Sequence, residues 1–382
     1  MVRIALFSAP VLEFGGGLEK YYIETAAELA KQDGTLVDVV TMDDDFINRL
    51  TSFMQLFYMK RIDKKANFKE SLTNIRERLG DAGYHKERTI RELRHRLSNY
   101  DVVYSKNELL ESFMLKVLVG YNHLPPVVLG GHTPLAYPNP QSLQAKVHNF
   151  LYASPMYRFF ASPANKYHVL NNEEELLYKK IFGPAKVHKI YNPFDDVAFR
   201  RQATRYPFNL SLDKTKLHIL WAGRLTEQKG VADLARIIEA ANNDDVTWTI
   251  AGDGDLRPIV EQLAANHPTV TYLGHVDQKY MSSLYSLHDI FLSTSKWEGY
   301  PYNLLEAKAW ELAIIAYDIP GSSDILHAYG RGYLCRQPEQ IVEQLQRWAM
   351  HGLEPPPKRV GSGDFGPETV YKQLLQLLNP TN

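Results

Sequence analysis

Glu298 and Glu306 stand eight residues apart in the stretch Glu-Gly-Tyr-Pro-Tyr-Asn-Leu-Leu-Glu. Gly299 and Pro301 break the chain just ahead of an apolar-periodic run (Leu304, Leu305, Ala309, Leu312), which predicts a helix starting near Pro301. The first amides of such a helix have no partner inside it and attract phosphate. Glu298 would precede the helix and Glu306 would lie about one turn into it. The two acids could then address opposite ends of a phosphorylated ligand. A dipole-favoured glutamate followed by a solvated one is the plainer reading of the same pair.

Cations stand where such a ligand would need them. Ala222-Gly-Arg-Leu-Thr-Glu-Gln-Lys-Gly230 follows an apolar run, Ile219–Trp221, that reads as a strand. Arg224 offers a planar fork suited to phosphate and Lys229 a mobile point charge. Both fall at the carboxyl end of the strand, where open α/β sheets bind ligands. Taken singly, an exposed Arg and Lys are ordinarily just solvated. Gly252-Asp-Gly-Asp255 follows another strand in the same manner.

The first half carries Phe14-Gly-Gly-Gly-Leu-Glu19 between a strand and a helix, and Gly130-Gly-His-Thr-Pro134 after the run Val127–Leu129. The three glycines permit a close approach of ligand to backbone. Their spacing is neither the dinucleotide fingerprint nor a P-loop. A glycine turn for packing and a hydrogen-bonded loop histidine are the plainer readings. His132 could nevertheless project into a cleft, whereas His85, His95, His123, His148 and His168 have no comparable placement and read as structural. There is no His-Glu-x-x-His and no Gly-x-Ser-x-Gly. Asp43-Asp44-Asp45 reads as a turn after a strand rather than a metal clamp, and no metal is expected.

A chain of 382 residues with 45% hydrophobic and 23% charged side chains is long for one core and ordinary for a globular protein. A net charge of −1 argues against a general nucleic-acid binder. One cysteine, Cys335, excludes an internal disulfide and a thiolate metal cluster. The N-terminal run Ile4–Phe7 is too brief for a signal peptide, and no stretch is apolar enough to span a bilayer. The expected location is the cytoplasm, with peripheral contact to the membrane as an option.

Short apolar runs alternate with helical patterns in both halves, which predicts an α/β protein of two doubly wound parallel sheets. The expected strands are Ile4–Phe7, Val37–Thr41, Val102–Tyr104, Val127–Leu129 and Val187–Ile190, then Ile219–Trp221, Thr247–Ala251, Val270–Leu273, Ile290–Leu292 and Ile314–Tyr317. Pro193, Pro207 and a polar segment interrupt the periodicity, so the expected domains are 1–200 and 201–365. A last helix in 366–382 could pack back on the first domain. Phe46–Arg96 holds 13 basic and 6 acidic side chains, with Phe46, Leu50, Phe53 and Phe57, then Phe68, Leu72, Ile75 and Leu79, at helical spacing. A basic helical insertion is expected over about 46–98. It either packs on its own domain or offers a surface to anionic lipid or an acidic acceptor.

Assembled, these residues resemble a retaining glycosyltransferase of family 4 with the GT-B fold. The likeness is densest over 217–327. It rests on Gly-Arg-Leu…Gln-Lys-Gly (223–230), Gly-Asp-Gly (252–254), Gly-His-Val (274–276), the Glu-x7-Glu stretch and Pro320-Gly321. In the first half it rests on Gly-Gly-Gly-Leu-Glu-Lys and the His132 turn. The run Ala-Lys-Ala-Trp-Glu-Leu-Ala (307–313) departs from the pattern, because the family usually has a glycine before the next strand.

The resemblance implies two Rossmann-like domains facing across a cleft, with a nucleotide-diphosphate sugar in the second and an acceptor held mainly by the first. Arg224 and Lys229 would neutralise the diphosphate without a metal or other cofactor, aided by the amides near Tyr302 and Asn303. Gly16 and Gly17 would approach the phosphates from across the cleft. Glu306 would bind the ribose and backbone near Val276 would frame the base. Glu298 would contact sugar hydroxyls, and His132 would lie beside the anomeric centre. The acceptor, whether glycan, glycolipid or small molecule, is left open, as are the sugar and the base.

Rival readings remain at this level. Two helical glutamates eight residues apart would be separated by about 12 Å. A glycosidase pair needs about 5–5.5 Å for retention or roughly 6.5–9.5 Å for inversion. A nucleotide-sugar epimerase or a phosphorylase on the same fold is nearer, and a non-catalytic nucleotide-sugar-binding partner subunit is the alternative from another class. Epimerisation needs no acceptor, whereas transfer does.

Overall fold

The computed structural model describes residues 1–9, 17–54, 72–137, 143–204, 210, 213, 215–241, 243–353 and 366–380. The chain divides into two units, one of residues 1–192 with 367–382 and the other of residues 193–366.

The first unit runs β1 (Val2–Ser8), α1 (Gly17–Ala30), β2 (Thr35–Met42), α2 (Asp44–Met54), α3 (Leu72–Leu79), β3 (Gly83–Glu87), α4 (Ile90–Leu97) and β4 (Val102–Lys106). It continues with α5 (Leu109–Phe113), β5 (Val127–Gly131), α6 (Leu143–Ala153), α7 (Pro155–Ala161), β6 (Lys166–Val169), α8 (Asn172–Phe182) and β7 (Val187–Lys189). The strands form one sheet in the order β3-β2-β1-β4-β5-β6-β7, and each pairing is parallel. Ile4 opposes Val37 on one side and Val102 on the other. β1 is therefore central, which explains its unbroken apolar run. Alternate residues feed two cores. Ala5, Phe7, Val103, Val127 and Leu129 face one layer of helices; Ile4, Leu6, Val37, Val39, Val102 and Val128 face the other.

The second unit runs α9 (Asp196–Arg201), β8 (Leu217–Ala222), α10 (Val231–Ala241), β9 (Val246–Ala251), α11 (Arg257–Asn266), β10 (Val270–Gly274) and α12 (Gln278–Ser286). Then follow β11 (Ile290–Ser293), α13 (Tyr302–Ala309), β12 (Ala313–Tyr317), α14 (Pro320–Tyr329), β13 (Gly332–Cys335) and α15 (Pro338–His351). Its parallel sheet has the order β10-β9-β8-β11-β12-β13. The chain reverses direction of travel between β8 and β11, so the carboxyl ends of these two strands flank a crevice of the kind that holds ligands. The last helix, α16 (Pro367–Leu378), belongs to the first unit. It sets Val370, Tyr371, Leu374, Leu377 and Leu378 into the same core as Tyr21, Tyr22 and Ala26 of α1.

Several details depart from the sequence expectation. The first unit ends at Asn192 rather than near residue 200. α9 belongs with the second unit, where Lys308 Nζ donates to Asp196 at 2.7 Å and Arg200 to the carbonyl of Ala309 at 3.1 Å. The insertion expected as helical includes β3, an edge strand paired with β2. Residues 55–71, which include Phe57 and Phe68, lie outside the described residues. Phe46 and Leu50 pack against one core of the first unit and Ile75 and Leu79 enter the other, so those side chains face inward. Among the described residues no helix is long and apolar enough to cross a membrane.

The missing family glycine has a structural counterpart. Glu311, just past α13, has φ +58° and is the one non-glycine residue with positive φ among the described residues. A side chain in that region costs about 1–2 kcal/mol, part of which glycine returns through its freer unfolded state. Glu311→Gly is expected to raise unfolding free energy by about 1 kcal/mol in chemical denaturation. The hydrogen bond from Arg331 to the Glu311 carbonyl involves backbone and survives the change.

Glu174, in the first turn of α8, is buried, and neither carboxyl oxygen has a hydrogen-bond partner among the described residues. Burial and then the neighbouring Glu173 push it from the ordinary 4.5 up to about 8. The folded chain thus keeps a proton that the unfolded chain has released. That stability is fully present below pH 4.5 and is lost as pH rises through about 8. Glu174→Gln is expected to flatten the fall in melting temperature between about pH 5 and 8.5, read by thermal unfolding across that range.

Candidate functional site

The second unit gathers its charged residues at the β8/β11 crevice. After β8 the chain turns through Gly223–Gly230, and after β11 through Thr294–Pro301. Trp221 Nε1 donates to Thr294 Oγ1 at 2.9 Å, Thr294 Oγ1 donates to the Lys229 carbonyl at 2.7 Å, and the Lys296 amide to the Gln228 carbonyl at 2.8 Å. These bonds hold the two loops together. Gly230 has φ +67°, and a Cβ there would meet the Thr294 carbonyl oxygen at 2.0 Å. Gly252 has φ +143°, with the Gly223 oxygen 1.8 Å from where its Cβ would be. Neither site has room for a side chain, so both glycines are required by the packing of the loops.

Within that frame Lys229 Nζ lies 2.5 Å from Glu298 Oε1, with the side chains only 15% and 11% exposed. One cation and one carboxylate of the motif therefore meet directly. Arg224 is exposed and makes no side-chain hydrogen bond or ion pair among the described residues. α13 begins at Tyr302 with Pro301 at its cap, and no side chain caps it. The first amides of a helix have no partner inside it, which suits such a terminus to an anion. Asn303 Nδ2 donates to the Ala222 carbonyl at 3.1 Å, fixing the start of α13 beside the end of β8. Glu306 is buried on the same helix, and Gln278 Nε2 donates to it at 3.4 Å. Val276, also buried, lies between β10 and α12. The expected residues of this half, Arg224, Lys229, Val276, Glu298, Tyr302, Asn303 and Glu306, all stand on loops or helix starts following strands of one sheet.

In the first unit Gly16 lies outside the described residues, and Gly17 is the first residue of α1. His132 follows β5 and is partly exposed. Its Nε2 is 2.7 Å from Tyr104 Oη, which is 2.8 Å from Nδ1 of His168, whose Nε2 is 2.7 Å from the Ile190 carbonyl oxygen. The carbonyl can only accept, so His168 Nε2 carries a proton. Burial holds His168 down at about 4, which leaves its Nδ1 a bare acceptor near neutrality. Tyr104 then donates to His168 and accepts from Nε2–H of His132. His132 is left with Nδ1 as an acceptor, and burial, then His168 and Lys106, hold its imidazole well below the ordinary range. A Cβ on Gly130 would sit 2.1 Å from Tyr104 Oη, so the glycine makes room for this contact.

A second buried group supports the same edge of the sheet. Lys106 Nζ lies 3.5 Å from Glu108 and 3.2 Å from Glu111. Glu111 accepts from the amide of Ala9 at 3.1 Å, and Glu108 from Thr133 Oγ1 at 3.3 Å. Burial pushes Glu111 up while Lys106 pulls it down. These charges tie the end of β1 to the loop that carries His132. Asp43–Asp45 form a turn into α2, with Asp43 Oδ1 accepting from the Asp45 amide at 2.9 Å.

The sequence motifs do not mark Tyr104, Lys106, Glu108 or Glu111, and His168 reads there as structural. The available signal was polar residues at the carboxyl ends of buried strands, Tyr-Ser-Lys-Asn after Val102-Val103 and His168 inside Lys-Tyr-His-Val.

Comparison with known proteins agrees with this geometry. Residues 202–359 match the family model described as glycosyl transferases group 1. An amylovoran biosynthesis glycosyltransferase, AmsD of Erwinia amylovora, is 28% identical over 194 residues, 49% of this chain and 51% of that one. An uncharacterised 41.2 kDa protein in the cps region of Klebsiella pneumoniae is 26% identical over 142 residues, 37% of this chain and 39% of that one. The match thus spans about half or less of these relatives' lengths. Among solved structures, Anabaena Alr3699/HepE in complex with UDP and glucose has a TM-score of 0.68 at 14% identity, covering 99% of both chains. Sucrose-phosphate synthase from Thermosynechococcus elongatus also gives 0.68, at 17% identity, over 99% of this chain and 98% of that one. The chain has the GT-B fold, and most of its second unit matches glycosyl transferases group 1.

Proposed function

We propose that this protein is a retaining glycosyltransferase that moves a sugar from a nucleotide-diphosphate donor to an acceptor hydroxyl in the synthesis of a glycan, glycolipid or related conjugate. The observation that carries the reading is the Lys229–Glu298 pair at the β8/β11 crevice, next to the uncapped start of α13. A phosphate cation and a hydroxyl-binding carboxylate set side by side suit a ligand that joins a diphosphate to a sugar.

In this reading Arg224, Lys229 and the amides of Tyr302 and Asn303 take the negative charge that develops on the departing diphosphate. Gly16 and Gly17 also approach the phosphates. Glu306 accepts from the ribose, and backbone near Val276 borders the base. Glu298 orients sugar hydroxyls, and His132 accepts from one through Nδ1. The acceptor hydroxyl attacks the anomeric carbon on the face the diphosphate leaves, and a phosphate oxygen takes its proton. The new C–O bond replaces the old one on the same face, which retains configuration without a protein nucleophile. Fixed cations carry the diphosphate charge in this scheme, so no metal is called for.

The test is a thermal-shift panel of nucleoside diphosphates and nucleotide sugars, followed by product analysis with and without acceptor. One nucleotide should raise the melting temperature by mass action, and its sugar should be transferred only when acceptor is present. Failure of every nucleotide at millimolar concentration would overturn the donor assignment. A new sugar isomer formed without acceptor would favour an epimerase instead.

A further inference from the structure

No Asp or Glu occurs between Glu111 and Glu173, whereas at the chain's average of 44 acids in 382 residues such a stretch would hold about seven. The same stretch carries five exposed large apolar side chains, whereas Leu176, the other strongly exposed one of this unit's helices, follows Glu173–Glu175 on α8. Phe150 is 75% exposed, Leu143 63%, Phe159 58%, Val117 50% and Met156 38%. On α6 the exposed positions Leu143, Lys146 and Phe150 recur at helical spacing and share one face. On α7 they are Met156, Arg158 and Phe159.

These residues adjoin one another through bonded contacts. α7 follows α6 directly, with Ser154 between them as its cap. Lys116 Nζ donates to the Phe159 carbonyl at 2.7 Å and lies 3.5 Å from the centre of its ring. Lys116 and Val117 belong to the π-helical turn Met114–Val119, and Arg94 of α4 donates to Leu118 of that turn at 3.0 Å. Arg91 and Arg94 extend the positive charge along α4, where the one acid, Glu92, is occupied by the amides of Arg88 and Thr89.

We infer that this strip, from α4 through the turn at Met114–Val119 to α7 and α6, docks on an anionic lipid surface. Aromatic and aliphatic side chains standing free among cations, with no acid interleaved across 112–172, complement a layer with negative headgroups above hydrocarbon. A soluble protein partner would not select against every carboxylate across so long a stretch. The contact is peripheral, since no described helix can span a bilayer. It shares only α4 with the insertion at 46–96, whose other described apolar residues Phe46, Leu50, Ile75 and Leu79 pack inward.

The experiment is co-sedimentation of the full chain with phosphatidylcholine vesicles, with and without phosphatidylglycerol. Wild type should partition roughly tenfold or more in favour of the anionic vesicles and lose that preference at high salt. Phe150→Ser with Phe159→Ser should abolish sedimentation, and Lys146→Glu with Arg158→Glu should lower it by roughly tenfold or more. Because the changed side chains are exposed, melting temperature should hold, and Phe150→Ser alone serves if Phe159→Ser weakens the fold. Absence of binding to anionic vesicles would overturn the inference. So would binding that both sets of variants leave intact, which would assign it to another segment. Concentration-dependent dimerisation that the serine pair abolishes, without any change in vesicle binding, would assign the strip to a second copy of the chain.

Discussion

Lys229→Ala is expected to lower sugar transfer by about a hundred- to thousandfold, the scale on which a fixed charge aimed at a developing anion acts. Nucleoside diphosphate affinity should fall with it. The change also leaves Glu298 11% exposed and without its 2.5 Å partner. An unpaired buried carboxylate is costly, so the melting temperature should drop as well. Glu298→Gln separates the two effects. It should reduce transfer strongly, because a carboxylate that orients the sugar is gone. It should nevertheless tighten nucleoside diphosphate binding by about tenfold, because Lys229 no longer shares its charge with a neighbour. The double variant should recover melting temperature relative to Lys229→Ala without recovering transfer. Calorimetric titration, turnover and thermal unfolding of the four proteins complete the cycle. Weaker diphosphate binding by Glu298→Gln would mean that the carboxylate supports the anion site, and the proposed division of roles would be wrong.

How far the sequence foretold this arrangement depends on the range of each interaction. Interior strands with unbroken apolar runs are legible, as in Ile219–Trp221 and Ile290–Leu292, whereas β6 (Lys-Tyr-His-Val), equally interior, is not, because Lys166 and His168 break its run. Nor are the edge strands β3 (Gly-Tyr-His-Lys-Glu) and β13 (Gly-Tyr-Leu-Cys). They are only partly buried, and their composition carries neither a clear alternation nor a run. The start of α13 was legible because Gly299, Pro301 and the apolar periodicity that follows are local signals. The boundary between units falls at the near end of the break that the sequence marks, because its determinants are distant. Ser282 Oγ donates to the Phe199 carbonyl, 83 positions away in sequence, and Lys308 reaches Asp196 across 112. Glu311 marks the reverse case. A glycine absent from the expected place was visible as a departure, and the structure gives it a physical meaning in a left-handed residue. Lys229 and Glu298 were each legible as charged groups after a strand. Their pairing was not, since side-chain meeting across two loops has no sequence periodicity.

Tyr104→Phe tests the part of the first unit that no motif announced. The hydroxyl joins His132 at 2.7 Å to His168 at 2.8 Å, residues 28 and 64 positions away. Removing it keeps the ring in place and deletes both hydrogen bonds. His132 Nε2–H then loses its acceptor, and the imidazole is free to carry its proton on either nitrogen. Only the Nε2–H form presents Nδ1 as an acceptor, so a fraction of molecules would offer a sugar hydroxyl the wrong partner. Transfer should fall by about ten- to a hundredfold, by analogy with the loss of a group that orients a metal-binding histidine. His132→Ala should cost more, since the acceptor itself is lost. Nucleoside diphosphate affinity should be unchanged in both, because neither His132 nor Tyr104 is proposed to touch the diphosphate. Nitrogen NMR of labelled imidazoles reads the cause directly, with His132 in the Nε2–H form in the wild type and in mixed form in Tyr104→Phe. A rate loss with the His132 signal unmoved would leave Tyr104 as a packing residue and remove the relay from the mechanism. A shifted signal with an unaltered rate would remove His132 itself.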